Sequence, residues 1–200
     1  MARDVITLIT RDHRELEEMV DRLAKEPEGR ERLVGEVAAR FAAHGAAEEE
    51  HVYPVVVRAA AGVAGDRAGA GAVVPEAEGG GADVVRGARE HRVAGEVLGR
   101  LCACDPSSPG FDDLLHEFVD VVVRHVREEE TRVLPALRAV VDPAGLERLG
   151  EGFERTRVAW LRRSREDAAG RGGGSGAPRP RAGEGASAAE ERGARGRPRG

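Results

Sequence analysis

The chain has 200 residues and a formal net charge of −5; 40% of its residues are hydrophobic and only 3% are aromatic. This length suits one domain with a tail, and the acidic charge argues against nucleic acid as the main partner. Abundant Ala, Leu, Glu and Arg, with few segments that alternate at the period of a strand, predict an all-α protein.

The first two predicted helices are separated by a short turn. Asp4 is a suitable N-cap for a helix that runs to about Lys25 with an apolar stripe. Pro27 and Gly29 then mark a turn, and a second helix follows over about Arg30–Ala61. Pro54 lies inside this second helix, where it removes a backbone donor, so we expect a bend there.

The second half of the chain repeats this arrangement after a Gly- and Ala-rich segment, residues 62–82, which predicts a flexible loop. A third helix is predicted over about Asp83–Cys104, and a fourth over about Phe111–Val141 with a bend at Pro135. Asp142-Pro143 then resembles the start of a short fifth helix that ends near Glu166.

The organisation that we predict is one folded domain over residues 1–166 and a disordered Gly/Arg/Pro-rich tail over residues 167–200. Cys102 and Cys104 are the only cysteines, which is too few for a disulfide framework and fits a reducing compartment. The first residues show neither a signal peptide nor a lipidation motif, and no apolar run has membrane length. We therefore expect a cytoplasmic protein without a membrane partner.

Two histidine–glutamate pairs, His44 with Glu48 and His125 with Glu129, have the same spacing of four residues. Residues i and i+4 share one face of a helix, so each pair aims an imidazole and a carboxylate at the same place. A further histidine precedes each pair, His13 on the first helix and His91 on the third. Two hairpins with this repeated pattern can bury their apolar faces as an up-down-up-down four-helix bundle.

Such a bundle would hold four imidazoles and two carboxylates in its interior. The predicted metal ligands are His13, His44, Glu48, His91, His125 and Glu129. Imidazole suits iron, copper or zinc, and shared carboxylates favour a pair of iron or manganese ions. The alternative is a structural polar cluster without metal, which is costly to bury unless every group is hydrogen-bonded.

These residues resemble the hemerythrin family, specifically its bacterial HHE cation-binding domain, over about residues 4–165. The sequence looks most like the hemerythrin-like proteins of actinobacteria. The motifs that carry the resemblance are Asp12-His13, His44 to Glu48 with Tyr53-Pro54, Glu90-His91, and His125 to Glu129 with Leu134-Pro135.

The resemblance implies an oxo- or hydroxo-bridged centre of two iron ions. Glu48 and Glu129 would bridge the ions. One ion would be held by His13 and His44, and the other by His91 and His125. In the oxygen carriers of the family a second histidine follows one turn after the third-helix histidine, but here that position is Gly95. The carriers also have an Asp five residues after the last histidine, where this chain has a Glu at four. These differences predict a more open or more asymmetric site.

Other polar residues lie near the motifs. His51 could be an additional ligand or a partner that supports one, and its repeat counterpart Arg132 is no ligand, which disfavours direct ligation. Glu17 could also supply a ligand, but the pattern disfavours this. His116 is half a turn out of phase with His125, which indicates a surface position. Tyr53 favours packing over hydrogen bonding in the pocket. Glutamates next to the motif residues are interpreted as solvated or supporting groups rather than ligands.

The main functional hypothesis is a di-iron protein that binds dioxygen or a related small oxidant for storage, sensing or detoxification. The enzymatic alternative is a centre that consumes peroxide or nitric oxide. A third possibility is a metal-dependent interaction module whose tail finds a protein partner.

Overall fold

The computed structural model describes residues 3–62 and 80–172, and this part of the chain is entirely helical between its turns. Most of the loop predicted over residues 62–82, and most of the tail predicted over residues 167–200, lies outside the described residues. Where the predictions overlap the structure, Gly80 already begins a helix and the last helix continues to Gly172.

The helices are, in chain order, α1 (Val5–Lys25), α2 (Arg30–His51), α3 (Tyr53–Ala60), α4 (Gly80–Ala103), α5 (Pro109–Glu128), a π-helix (Glu129–Val133), α6 (Leu134–Val140) and α7 (Pro143–Gly172). The predicted cap of α1 is confirmed, because the Asp4 carboxylate accepts a hydrogen bond of 3.0 Å from the backbone N–H of Thr7.

The two predicted proline bends differ from each other in the structure. Near Pro54 the helix ends at His51, and α3 begins at Tyr53 after one residue in a turn. Near Pro135 the backbone instead widens into the π-helix that begins at Glu129. Proline lacks an N–H and its ring clashes with the carbonyl four residues earlier, so each helix must change its hydrogen bonding just before the proline.

Helices α1, α2, α4 and α5 form the four-helix bundle, as predicted, with α1 against α2 and α5, and α4 against α2 and α5. The bundle contains two apolar clusters. One surrounds Phe41, Phe111 and Phe118, and the other surrounds Ile9 and Phe153. On each of the four helices a predicted metal ligand lies between residues of the two clusters, so a polar layer separates them.

The predicted fifth helix is confirmed as α7, which begins at Pro143 as expected and, with 30 residues, continues past the predicted end near Glu166. It packs along α2 and α1, and its apolar face carries Leu146 and Phe153 into the core. Gly150 lets α7 approach the start of α1 closely, since an added Cβ would collide with the backbone carbonyl of Arg3. Residues 167–170 of α7, which lie past Glu166, are exposed, and helix-favouring residues such as Ala168 and Ala169 continue the helix there. Among the described helices, none combines the length and apolar character needed to cross a membrane.

Candidate metal centre

All six predicted ligands come together in the polar layer of the bundle. Helix α1 contributes His13, α4 contributes His91 and α5 contributes His125, while α2 contributes two residues and Glu129 opens the π-helix. Each of the six side chains is buried, with exposed fractions between 0% and 6%. Four imidazoles and two carboxylates therefore face one another away from solvent.

The imidazoles form two pairs. The ring centroids of His13 and His44 are 5.0 Å apart, and those of His91 and His125 are 4.4 Å apart. Between the pairs the distances are longer, 6.0 Å from His44 to His91 and 6.3 Å from His13 to His125. The ligand atoms themselves form two overlapping groups, each of which contains His44 and His125: one adds His13 and Glu129, the other Glu48 and His91.

Glu48 lies between the two imidazole pairs. Its Oε1 is 3.2 Å from Nε2 of His44, and its Oε2 is 3.2 Å from Nε2 of His91. One carboxylate oxygen therefore faces each pair, as a carboxylate shared between two ions requires.

Glu129 lies between the other two imidazoles, but a single one of its oxygens faces both of them. Its Oε2 is 3.2 Å from Nε2 of His13 and 3.7 Å from Nε2 of His125. Its Oε1 is buried and has no hydrogen-bond partner among the described residues. The two glutamates thus connect the pairs along two opposite edges of the layer, Glu48 between His44 and His91 and Glu129 between His13 and His125.

Each of the four imidazoles also has a carboxylate near Nδ1, on the side away from the centre. These contacts are His13 with Glu130 at 2.9 Å, His44 with Asp12 at 3.8 Å, His91 with Glu49 at 3.6 Å and His125 with Glu90 at 3.6 Å. The His13 contact is a hydrogen bond, whereas the other three are longer and leave Nδ1 without a hydrogen-bond partner among the described residues. A carboxylate on the Nδ1 side favours a ring whose Nε2 points inward, which is the usual support of a metal-binding histidine.

These outer carboxylates follow the internal repeat of the chain. Asp12 and Glu90 each precede the first histidine of a repeat and reach the second histidine of the same repeat. Glu49 and Glu130 each follow the glutamate of a repeat and reach the first histidine of the other repeat. From the sequence, Glu49 and Glu130 are expected only among the solvated or supporting glutamates, and Asp12 and Glu90 appear only as part of the family motifs. Their repetition at equivalent positions is the signal that could have identified all four.

Burial and mutual charge shift the pKa values within the layer in opposite directions. Burial lowers the pKa of His13, but contact with Glu129 and the charges of Glu129 and Glu48 outweigh it and raise that pKa to about 9. Burial and the charge of His13 hold the pKa of His44 well below its usual range. Burial and the charge of Glu129 raise the pKa of Glu48. Burial also raises the pKa of Glu129, but contact with His13 and the charge of His125 overcome it and lower that pKa.

The arrangement leaves buried polar atoms that suit a metal ion. Nε2 of His13, Nε2 of His44, Oε1 of Glu48 and both oxygens of Glu129 have no hydrogen-bond partner among the described residues. Unpaired buried polar groups are costly, and these all point into the layer. Two ligand atoms at about 2.1 Å from one ion, at a right angle, are about 3 Å apart. The Nε2 atoms of His91 and His125 are 3.0 Å apart, so the donor set and its spacing fit metal ions.

The additional ligands considered from sequence lie outside this layer. Nε2 of His51 hydrogen-bonds with Thr156 on α7 at 2.9 Å, while Glu17 accepts a hydrogen bond from Arg14 at 2.8 Å near the surface. His116 is exposed, as its phase predicts.

Tyr53 lies at the site and makes a polar contact there, whereas the sequence favours a packing role for it. Its ring stacks on His91 with a centroid distance of 5.8 Å, and its hydroxyl donates to Oε2 of Glu48 at 3.4 Å. Gly95, the position expected to be open, lies instead at the exposed edge of α4, and a Cβ built there has no atom within 4 Å. An added side chain at Gly95 would therefore project away from the polar layer.

The described helices and their polar layer define a helical cation-binding bundle, and comparison with known proteins identifies its family. Residues 4–137 match the Hemerythrin HHE cation binding domain, and the chain belongs to this family. The fold is similar to the crystal structure of a Hemerythrin HHE cation binding domain-containing protein from Mycobacterium kansasii, with a TM-score of 0.62 and 22% sequence identity. That likeness covers 88% of this chain and 95% of the mycobacterial one. Among curated proteins, none matches the sequence.

Proposed function

We propose that this protein is a hemerythrin-like non-haem di-iron protein that binds dioxygen or a related small oxidant. The observation that supports it best is the position of the two glutamates. Glu48 and Glu129 each contact one imidazole from either pair, and each is almost completely buried. In this proposal they bridge two ions, with His13 and His44 on one ion and His91 and His125 on the other.

The imidazole and carboxylate donors of the site support iron over magnesium and calcium. Imidazole and carboxylate together suit iron, whereas magnesium and calcium prefer sites made of oxygen alone. Two carboxylates shared between two ions in a helical bundle are typical of di-iron and di-manganese proteins. When bound, iron would supply the redox chemistry and the attraction for a small oxidant.

The protein side chains have separate tasks in this proposal. The four outer carboxylates hold the imidazoles in place, so the site is organised before a ligand arrives. Tyr53 offers a hydroxyl inside the layer, and the apolar clusters on either side exclude bulk water. Protein groups thus control geometry, access and proton donation, while the metal supplies the reactivity.

Oxygen cycling of the iron-loaded protein tests this function. We expect the absorption spectrum of the reduced protein to change when dioxygen is admitted and to return when it is removed or when reductant is added. Steady release of oxygen from added peroxide, without a reversible spectrum, would support the enzymatic alternative at the same centre. A folded protein that binds no metal and still finds a protein partner would instead support an interaction module and refute the di-iron proposal.

A further inference from the structure

A small cavity lies beside the second imidazole pair, just beneath the surface. Its volume is about 10 Å³, enough for roughly one water-sized molecule. The residues that line it are Tyr53, Asp83, Gly87, Glu90, His125, Glu128, Glu129 and Val133. It therefore connects the polar layer with the side of the bundle where α4 meets α5 and the π-helix.

The internal repeat places different residues at the equivalent positions beside the first imidazole pair. A separate cavity of about 10 Å³ on that side is lined by Asp12 and Arg157 and does not include these positions. Four lining residues are replaced at the equivalent positions by apolar ones. These are Val5 for Asp83, Ile9 for Gly87, Ala47 for Glu128 and Leu134 for Tyr53. The four apolar residues are buried in a single cluster. Phe153 of α7 also covers this half, with its ring 6.0 Å from that of His44. At these equivalent positions the half with His13 and His44 is therefore apolar, whereas the half with His91 and His125 is lined with polar groups.

We infer that small ligands enter and leave through this cavity, and that Gly87 and Tyr53 set the size of molecule that passes. We call the opening the Gly87 port. A Cβ built on Gly87 would lie 2.9 Å from the Tyr53 hydroxyl, so even one methyl group would displace that hydroxyl. The inference rests on the proposed function, and it assigns ligand entry to the half that contains His91 and His125. The ligand class is a molecule of two or three atoms.

Ion pairs lie across the outer rim of the port. Arg86 contacts Glu128 at 3.0 Å and Asp83 at 3.6 Å, and Arg132 contacts Asp83 at 3.4 Å. The side chains of Arg86 and Glu128 are 44% and 30% exposed, so the cavity lies directly under this surface. Exposed ion pairs of this kind are weak and break readily, which suits a rim that must open for each ligand.

The test compares two glycines on the same helix. Gly87→Val places a branched side chain in the port, whereas Gly95→Val makes the same chemical change at an exposed position with open space around it. The probe is azide, mixed rapidly with the oxidised iron-loaded protein, and its association rate is read from the absorption change. We expect Gly87→Val to slow association by roughly tenfold or more, because a tenfold change needs only about 1.4 kcal/mol of added barrier. Gly95→Val should bind azide at the rate of the unmodified protein.

Two further variants keep the test decisive if Gly87→Val fails to fold. Gly87→Ala should slow azide binding less than valine does, and Arg86→Ala should accelerate it by removing two of the three rim ion pairs. Iron content is measured for each protein. Iron-loaded Gly87→Val or Gly87→Ala that binds azide as fast as Gly95→Val would overturn the port, and so would slower binding only in Gly95→Val. An unmodified protein that never takes up iron would instead refute the proposed function.

Discussion

Glu48 and Glu129 are the residues on which the proposed centre depends most. A buried carboxylate is costly unless positive charge or metal compensates it. Around these two glutamates the compensating groups are imidazoles on all four bundle helices, with the closest contacts at 3.2 Å. Removing one glutamate therefore takes away a group that both imidazole pairs share, rather than one ligand of one ion.

Replacing either glutamate should abolish most metal binding. We expect Glu48→Ala and Glu129→Ala each to lower metal affinity by more than about 100-fold, since removing even a supporting residue commonly costs about 10- to 100-fold. His116→Ala is the matched control, because His116 is exposed and lies on a different face of α5 from His125. Metal content after exposure to limiting iron measures the effect. Full metal retention in the double carboxylate variant would contradict the bridging roles.

The sequence predicts the inward-facing residues of the layer much better than the outward-facing ones. His44 and Glu48 are found because a spacing of four residues guarantees a shared helix face. Asp12 and Glu49 are harder to assign, because their contacts run between helices and depend on how these pack. His51 shares the helical phase of His44, yet it lies two turns farther along α2, where it contacts Thr156 of α7.

At the level of the helices, the largest departure from the sequence prediction is α7. The predicted bundle needs only four helices, and residues 4–137 that match the family end before α7 begins. Nevertheless α7 packs along α1 and α2 and covers the first imidazole pair with Phe153. The sequence predicts where α7 begins, but not how it packs, because that depends on a groove between two other helices. The π-helix is also missed, since Pro54 and Pro135 have equivalent sequence settings but different backbones.

A substitution of Phe153 in α7 measures how much the packing of this helix stabilises the bundle. Phe153 is fully buried, so Phe153→Ala should lower the free energy of unfolding by about 3–5 kcal/mol through lost packing and a residual cavity. Trp160→Ala is the control on the same helix, since Trp160 is 38% exposed, and its effect should be much smaller. Denaturant titration of both variants checks the prediction. Equal losses for the two aromatics would show that the cover at Phe153 adds no particular stability.

Across the whole molecule, two apolar clusters are separated by a layer of charged and polar groups. Such a layer weakens a small bundle unless its groups are paired, and metal binding pairs them all at once. Because a ligand that binds only the folded state stabilises it, loss of metal should lower the melting temperature. The acidic body and the arginine-rich tail, which contains seven Arg and three Glu over residues 168–200, have no part in this account of the site.

Iron analysis of the purified full chain, combined with its absorption spectrum, tests the central claim most directly. We predict about two iron ions per chain, near-ultraviolet charge-transfer bands, and a melting temperature that falls when the iron is chelated. A well-folded chain that remains free of iron after reconstitution with excess iron, and whose melting temperature is unchanged by chelator, would contradict the di-iron centre.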